Sequence, residues 1–262
     1  MKVLSGRAFA ALTLLLILPR AAVGQDSTAT PRHLLSLELS RLQPFHRAYD
    51  MIIRTADSAI VIGARDLTFT SSEYSGSPAW LLVETRTGLV PAAESLYLAP
   101  DFRPLHLSSS LGLSRLGLEF VGDSIYGVAT TPAGRQNVVA IGRTDLVVSE
   151  SMVELLLPLL PLTPAWSDSV GVLEVGAVSH TVWPGELAVI GEENVSTDSV
   201  AARPSWVVGL RSSERMVLYW MARDSGEILQ VRQALPPGLN AGRELEFRLR
   251  VPPATAAPDP RH

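Results

Sequence analysis

Three stretches of the chain hold residue types that perform chemistry in other settings. Asp224-Ser225-Gly226 has the make-up of an aspartic-protease loop, in which two such aspartates share one proton. That chemistry needs a second loop of the same kind. Asp26, Asp57, Asp123, Asp168 and Asp198 are each followed by serine but never then by glycine. Asp, Ser and Gly are also what tight turns use, so this triplet is read as a hairpin turn. A serine hydrolase needs Gly-x-Ser-x-Gly, whereas Gly112-Leu113-Ser114-Arg115-Leu116-Gly117 has one residue too many and reads as a strand entry. His33, His46, His106, His180 and His262 follow no metal-site spacing, and His-Glu-x-x-His is absent. The absence of cysteine removes thiolate metal sites, cysteine nucleophiles and disulfides together. No glycine-rich phosphate loop occurs. The reading is therefore of a non-enzymatic protein with no metal and no cofactor, and an unfamiliar hydrolase is the least favoured alternative.

What remains is apolar density. Residues 155–162 (LLLPLLPL), with Trp166 and the nearby Val170, Val172 and Val175, are the richest hydrophobic stretch beyond the N-terminal segment. A concave sheet closed over them makes either a solid core, the default for dense interiors, or an apolar ligand groove. In the second case Leu155, Leu156, Leu159, Leu160 and Trp166 are the ligand-binding residues. Trp80, Trp183, Trp206 and Trp220 fit either case, since each joins a large apolar face to one N–H.

The elements that would position these side chains are mostly strands. Short runs with alternation or β-branched content, broken by Gly, Pro, Asp and Ser, fall at 45–54, 59–70, 79–85, 95–98, 105–109, 115–121, 124–130 and 136–141. After a stretch that must bend, further runs fall at 170–175, 187–190, 206–211, 216–222, 228–233 and 245–251. The clearest hairpin turns at Arg223-Asp224-Ser225-Gly226, where glycine takes the positive φ a tight loop requires. Asn194-Val195-Ser196 fits a glycosylation acceptor and reads as an exposed turn near Glu192-Glu193. One segment departs from the pattern: Ser151-Met152-Val153-Glu154 reads as a capping box opening a buried helix of two to three turns, limited by Pro158. A weaker helical stripe lies at 34–42, where a strand also fits. The fold class is mainly β: a large curved antiparallel sheet, a half-barrel, wrapped around one or two short helices.

The chain has 262 residues, 22 Lys+Arg against 26 Asp+Glu, 47% apolar and 6% aromatic, enough for one full core. The mildly acidic balance without a basic run excludes nucleic acid as a partner. Residues 1–24 read as a signal peptide: Lys2 and Arg7 flank the start, residues 8–18 are an apolar run too short to span a bilayer, and Ala22-Val23-Gly24 is a peptidase site before Gln25. Removing them takes three basic residues and no acid, leaving 19 basic against 26 acidic. Residues 25–31 read as a flexible linker, 32–251 as a single half-barrel domain, and 252–262, with four prolines, as a disordered tail. The protein is then periplasmic or secreted, with no transmembrane segment after cleavage.

The central helix and the hairpin running from Leu218-Tyr219-Trp220 through Asp224-Ser225-Gly226 to Ile228-Leu229 complete a likeness. The chain resembles uncharacterised periplasmic proteins related to the outer-membrane lipoprotein carrier and receptor superfamily. The resemblance implies an antiparallel half-barrel around helices, with a lipid or acyl chain held between sheet and helix. It transfers no catalytic set. An envelope-located hydrophobic-ligand carrier is the leading reading; a structural or protein-interaction domain with a packed core and an envelope protein partner is its rival. Expressed with its leader in a bacterial host, the protein should start at Gln25 by N-terminal sequencing; a membrane-bound product retaining residues 1–24 would point to an uncleaved anchor instead.

Overall fold

Alternation of apolar and polar residues gives a strand one face for the core and one for water. In the computed structural model this pattern produces one sheet. The structure describes residues 37–88, 91–142, 147–175, 180–197, 200–212, 215–235 and 242–250. Residues 1–36 and the stretch from 251 onward, where the signal peptide, linker and tail are expected, lie outside these.

The first strands are β1 (Phe45–Arg54), β2 (Ala59–Tyr74), β3 (Ser77–Gly88), β4 (Ala92–Leu98), β5 (Pro104–Leu111), β6 (Ser114–Val121), β7 (Ser124–Thr130) and β8 (Gln136–Gly142). A short β9 (Val147–Val148) leads into helix α1 (Glu150–Leu156) and a 3-10 turn at Leu157–Leu159. Then come β10 (Ser167–Val175), β11 (His180–Thr197), β12 (Val200–Ser212), β13 (Arg215–Ala222), β14 (Ile228–Ala234) and β15 (Glu244–Arg250). Strands β1 to β8 form one antiparallel meander and β10 to β15 another. The two join where β1 pairs with β15, Met51 opposite Phe247 and Ile53 opposite Leu245. The first and last strands therefore lie inside the sheet, and β8 and β9 are its edges. Among the described residues only β9 and β10 pair in parallel, with α1 as their crossover.

A sheet with fifteen strands among the described residues accumulates the twist of each strand, and strongly twisted sheets beyond about ten strands tend to curl. This one brings β8 near β11 and closes its concave face on α1, where residues 151–156 are all buried. Tyr49, Leu67, Phe69, Leu82, Leu96, Leu118, Leu156, Tyr219 and Phe247 belong to one continuous core. The expected fold class holds. Among the described residues no helix is long and apolar enough to cross a membrane.

Three local expectations are corrected. The helix N-cap is Ser149, whose hydroxyl accepts the Met152 amide at 3.3 Å, not Ser151. Ser151 turns its hydroxyl to Glu94, and Glu154 is drawn to Arg65 rather than back to the helix start. An ion pair in the interior outweighs a cap that the next serine upstream can supply. In the 34–42 segment the described residues form only a 3-10 turn at Leu39–Arg41. Asn194 lies within β11, paired with Pro204 and exposed, not in a turn. Pro158 behaves as expected: α1 stops at Leu156 and continues only as the 3-10 turn.

Leu156 is fully buried. Leu156→Ala should lower the unfolding free energy by about 2–5 kcal/mol in a urea titration; a loss under about 1 kcal/mol would place the side chain outside the packed core.

Candidate functional site

The five apolar candidates divide. Leu155 and Leu159, buried with respect to bulk water, line a groove of about 210 Å³ between the helix end and the start of the sheet. All four leucines belong to the core, Leu155 and Leu159 also backing the groove, and Trp166 packs against the core half-buried. Leu156, Leu160 and Trp166 do not line the groove. The remaining wall is Arg41, Leu42, Gln43, Pro44, Phe45, Arg47, Glu154, Pro158, Ser225 and Gly226.

Each part of the wall has a local cause. The Leu39–Arg41 turn is tied to the Leu157–Leu159 turn by the Glu38 amide donating to the Leu159 carbonyl at 3.1 Å. Opposite, Gly226 closes the β13–β14 loop with φ +71° and brings its Cα side against Pro158, where an added Cβ would sit 3.1 Å from the proline ring. A side chain there would close in on the groove. The β1 residues Phe45, Arg47 and Tyr49 alternate onto the inner face. Phe45 continues a stacked ladder, 5.7 Å from Phe69, which is 5.0 Å from Trp80. The Arg47 guanidinium lies 4.0 Å over the Phe45 ring. Its Nη1 is buried without a hydrogen-bond partner among the described residues. Arg41, half exposed at the mouth, holds Glu38 at 2.6 Å through Nε.

Behind the groove lies a charged layer. Arg65 is buried and binds Glu154 of α1 and, at 2.6 Å, Glu84 of β3. Arg86 also binds Glu84, and Tyr49 donates its hydroxyl to Glu154 at 3.3 Å. Burial alone would raise the Glu84 carboxyl, but Arg65 and Arg86 outweigh it and hold the group down to about 2. Burial opposes the Arg65 charge, and Glu154 and Glu84 reverse that, so it stays protonated. Glu94 behaves in the opposite way. It stands directly across the β3–β4 ladder from Glu84, accepts the Ser149 and Ser151 hydroxyls, and is pushed up to about 7 by burial and then by the Glu84 charge. Arg65 and Arg86 thus face Glu84 and Glu154, and Glu94, with no arginine bound to it among the described residues, is the acid of this layer whose carboxyl is raised.

Sequence reasoning did not single out Arg47, Arg65, Glu84 or Glu94, although strand parity carried the signal. Arg65 precedes Leu67 and Phe69 at spacing two, Glu84 follows Leu82, and Glu94 precedes Leu96 and Leu98. A charge in phase with core residues must find a partner inside.

The other constellations are elsewhere. Asp224-Ser225-Gly226 is the β13–β14 turn, with Arg203 bound to both Asp224 and Ser225 at 2.6 Å. That contact lowers the Asp224 carboxyl. Gly112, at φ +57°, turns β5 into β6. His106 meets Glu119 at 2.8 Å, beside Tyr74 and Tyr97, and His46 meets Asp66 at 3.5 Å. No group of three or more His, Asp or Glu suited to a metal occurs among the described residues.

No protein-family model matches the chain, and no curated protein matches it in sequence. Its fold is similar to the crystal structure of a β-barrel-like protein of domain of unknown function DUF1849 from Brucella abortus. The TM-score is 0.51 at 11% identity, covering 80% of this chain and 97% of that one. The likeness establishes a β-barrel-like fold.

Because the folded value of Glu94 lies above the ordinary 4.5, the native state holds an extra proton between about pH 4.5 and 7. Its contribution is full below that window and lost as pH rises through about 7. Stability should fall by about 1–2 kcal/mol between pH 5 and 8 after allowance for partial exposure. Glu94→Gln should flatten that slope in melts across the range; an unchanged slope would assign it to other groups.

Proposed function

We propose that this chain is an exported, non-enzymatic binding domain of the bacterial envelope that holds a lipid, acyl chain or other hydrophobic ligand between sheet and helix. The observation that carries the reading is the groove beside α1, whose wall includes Leu42, Phe45, Leu155, Pro158 and Leu159. Its volume of about 210 Å³ is below the roughly 300 Å³ at which enclosed small-molecule sites begin, so it grips one part of a ligand, with the rest in solvent. Export rests on residues 1–24. The non-enzymatic reading draws support from how three interior acids are used, Glu84 and Glu154 held by arginines and Glu246 by Arg54, Arg232 and Arg248, while Glu94, pushed up to about 7, is held by two serine hydroxyls and does not line the groove. Acids bound by arginine are poor proton shuttles. The resemblance to lipoprotein carriers and receptors supports the same reading at the level of architecture.

One observation favours the rival, a protein-interaction domain. On the outer face of the β7–β8 edge, exposed Val128 and Val138 stand opposite each other, with Tyr126 exposed on the same strand. An uncharged edge strand with apolar residues outward is a surface on which another strand can add.

Native mass spectrometry of the mature protein from an envelope fraction, followed by organic extraction, separates the two. A stoichiometric lipid-sized adduct that is lost on denaturation is the expected result. A clean unliganded mass after repeated exposure to membrane extract would overturn the carrier reading and direct attention to the β7–β8 edge.

A further inference from the structure

The groove is lined by charged as well as apolar residues, and both bear on what it takes. Its charged lining residues are Arg41, Arg47 and Glu154. Glu154 is already engaged by Arg65 and by the Tyr49 hydroxyl, so its charge is spent within the protein. Ser225 is likewise committed, accepting from Arg203 and from the Glu227 amide. Arg41 gives its Nε to Glu38. Arg47 differs from all of these. Its guanidinium is stacked on Phe45 at 4.0 Å, and its Nη1 is shielded from solvent with no acceptor among the described residues. A cationic donor left unpaired is costly, and Arg47, part-exposed on the groove wall, offers the rest of its guanidinium to an acceptor entering there.

We infer that the groove binds a single-chain carboxylate amphiphile, its carboxylate on Arg47 and its alkyl chain against Leu42, Phe45, Leu155, Pro158 and Leu159. This rests on the hydrophobic-ligand reading above and names the ligand's chemical class. One available guanidinium balances one negative charge, and its planar fork matches a carboxylate. A groove of about 210 Å³ has room for one chain end, not for a paired-chain lipid lying side by side. The half-exposed Arg41 at the mouth adds attraction for an approaching anion without being the principal contact.

The test uses the full mature chain and three ten-carbon probes below their micellar concentrations: decanoate, decanol and decyl phosphate, by titration calorimetry. Decanoate should bind about ten- to a hundredfold more tightly than decanol, the range of a charge-assisted hydrogen bond. Arg47→Gln should abolish that preference, bringing decanoate down to the affinity of decanol, with retention of the fold checked by circular dichroism. Arg47→Lys, which keeps the charge, should restore part of the preference and covers the case in which the Gln variant folds poorly. Equal binding of decanoate and decanol by the unaltered protein would overturn the carboxylate assignment and leave the hydrophobic-ligand reading standing. Binding of neither would overturn both. A clear preference for decyl phosphate would replace the carboxylate by a phosphate head. Binding only after deletion of residues 25–36 would assign the groove to that part of the chain and overturn the proposal.

Discussion

Arg65 carries a positive charge into the interior of a β protein, and the placement of α1 depends on what answers it. A buried guanidinium is tolerated only when acids surround it, and removing one partner from such a pair typically costs about 3–5 kcal/mol. Here one acid, Glu84, comes from the neighbouring strand and the other, Glu154, from the helix. Apolar contacts of Met152, Val153, Leu155 and Leu156 alone would let the helix rotate or slide with little penalty. The Glu154 contact fixes its rotation and depth. Ser149 and Ser151 on Glu94 hold its first turn to a different strand.

The groove is a by-product of that placement. Once Glu154 is fixed, Leu155 lies beside it on the groove wall and Leu156 faces the core. Pro158 then ends the α-helix, and the 3-10 turn carries Leu159 to the Glu38 amide. Charge within and apolar surface at the rim are therefore coupled, because the same short helix supplies both. The inner face of β1 shows the same division along one strand: Tyr49 reaches the charged layer while Phe45 and Arg47 reach the groove.

Strand positions were legible because period-two alternation and turn residues are local signals. Phe45–Arg54 and Ser124–Thr130 have the bounds the sequence implies, and the run at 187–190 is only the middle of the long β11, which Pro184 and Gly185 interrupt on one side and the polar Glu192-Glu193-Asn194 on the other. Pairing order was not legible, because no local feature of β1 marks β15 as its partner. The helix start was misread for a related reason: Ser151 and Glu154 have capping-box spacing, but their hydrogen bonds go to β4 and β2. Of the five candidate residues, the split between groove and core turns on the helix rotation, which a nearly uniform run of leucines does not encode. Strand parity did mark Arg65 and Glu84 as interior, yet only the fold says which charge meets which.

The pairing of β1 with β15 has a further consequence, in the order of folding. Asp50 and Arg250, bonded across this ladder, are 200 residues apart. For a chain emerging N-terminus first, β2 arrives at once, but the other side of β1 stays an open edge until nearly everything else has been made. Such long-range closure makes folding slow and leaves unpaired strands exposed in the meantime. Either meander can assemble by local hairpins, whereas the complete curl forms in a late step that joins beginning to end. The protein's main hazard is therefore aggregation before that step, and a holding chaperone is of most use while β1 waits.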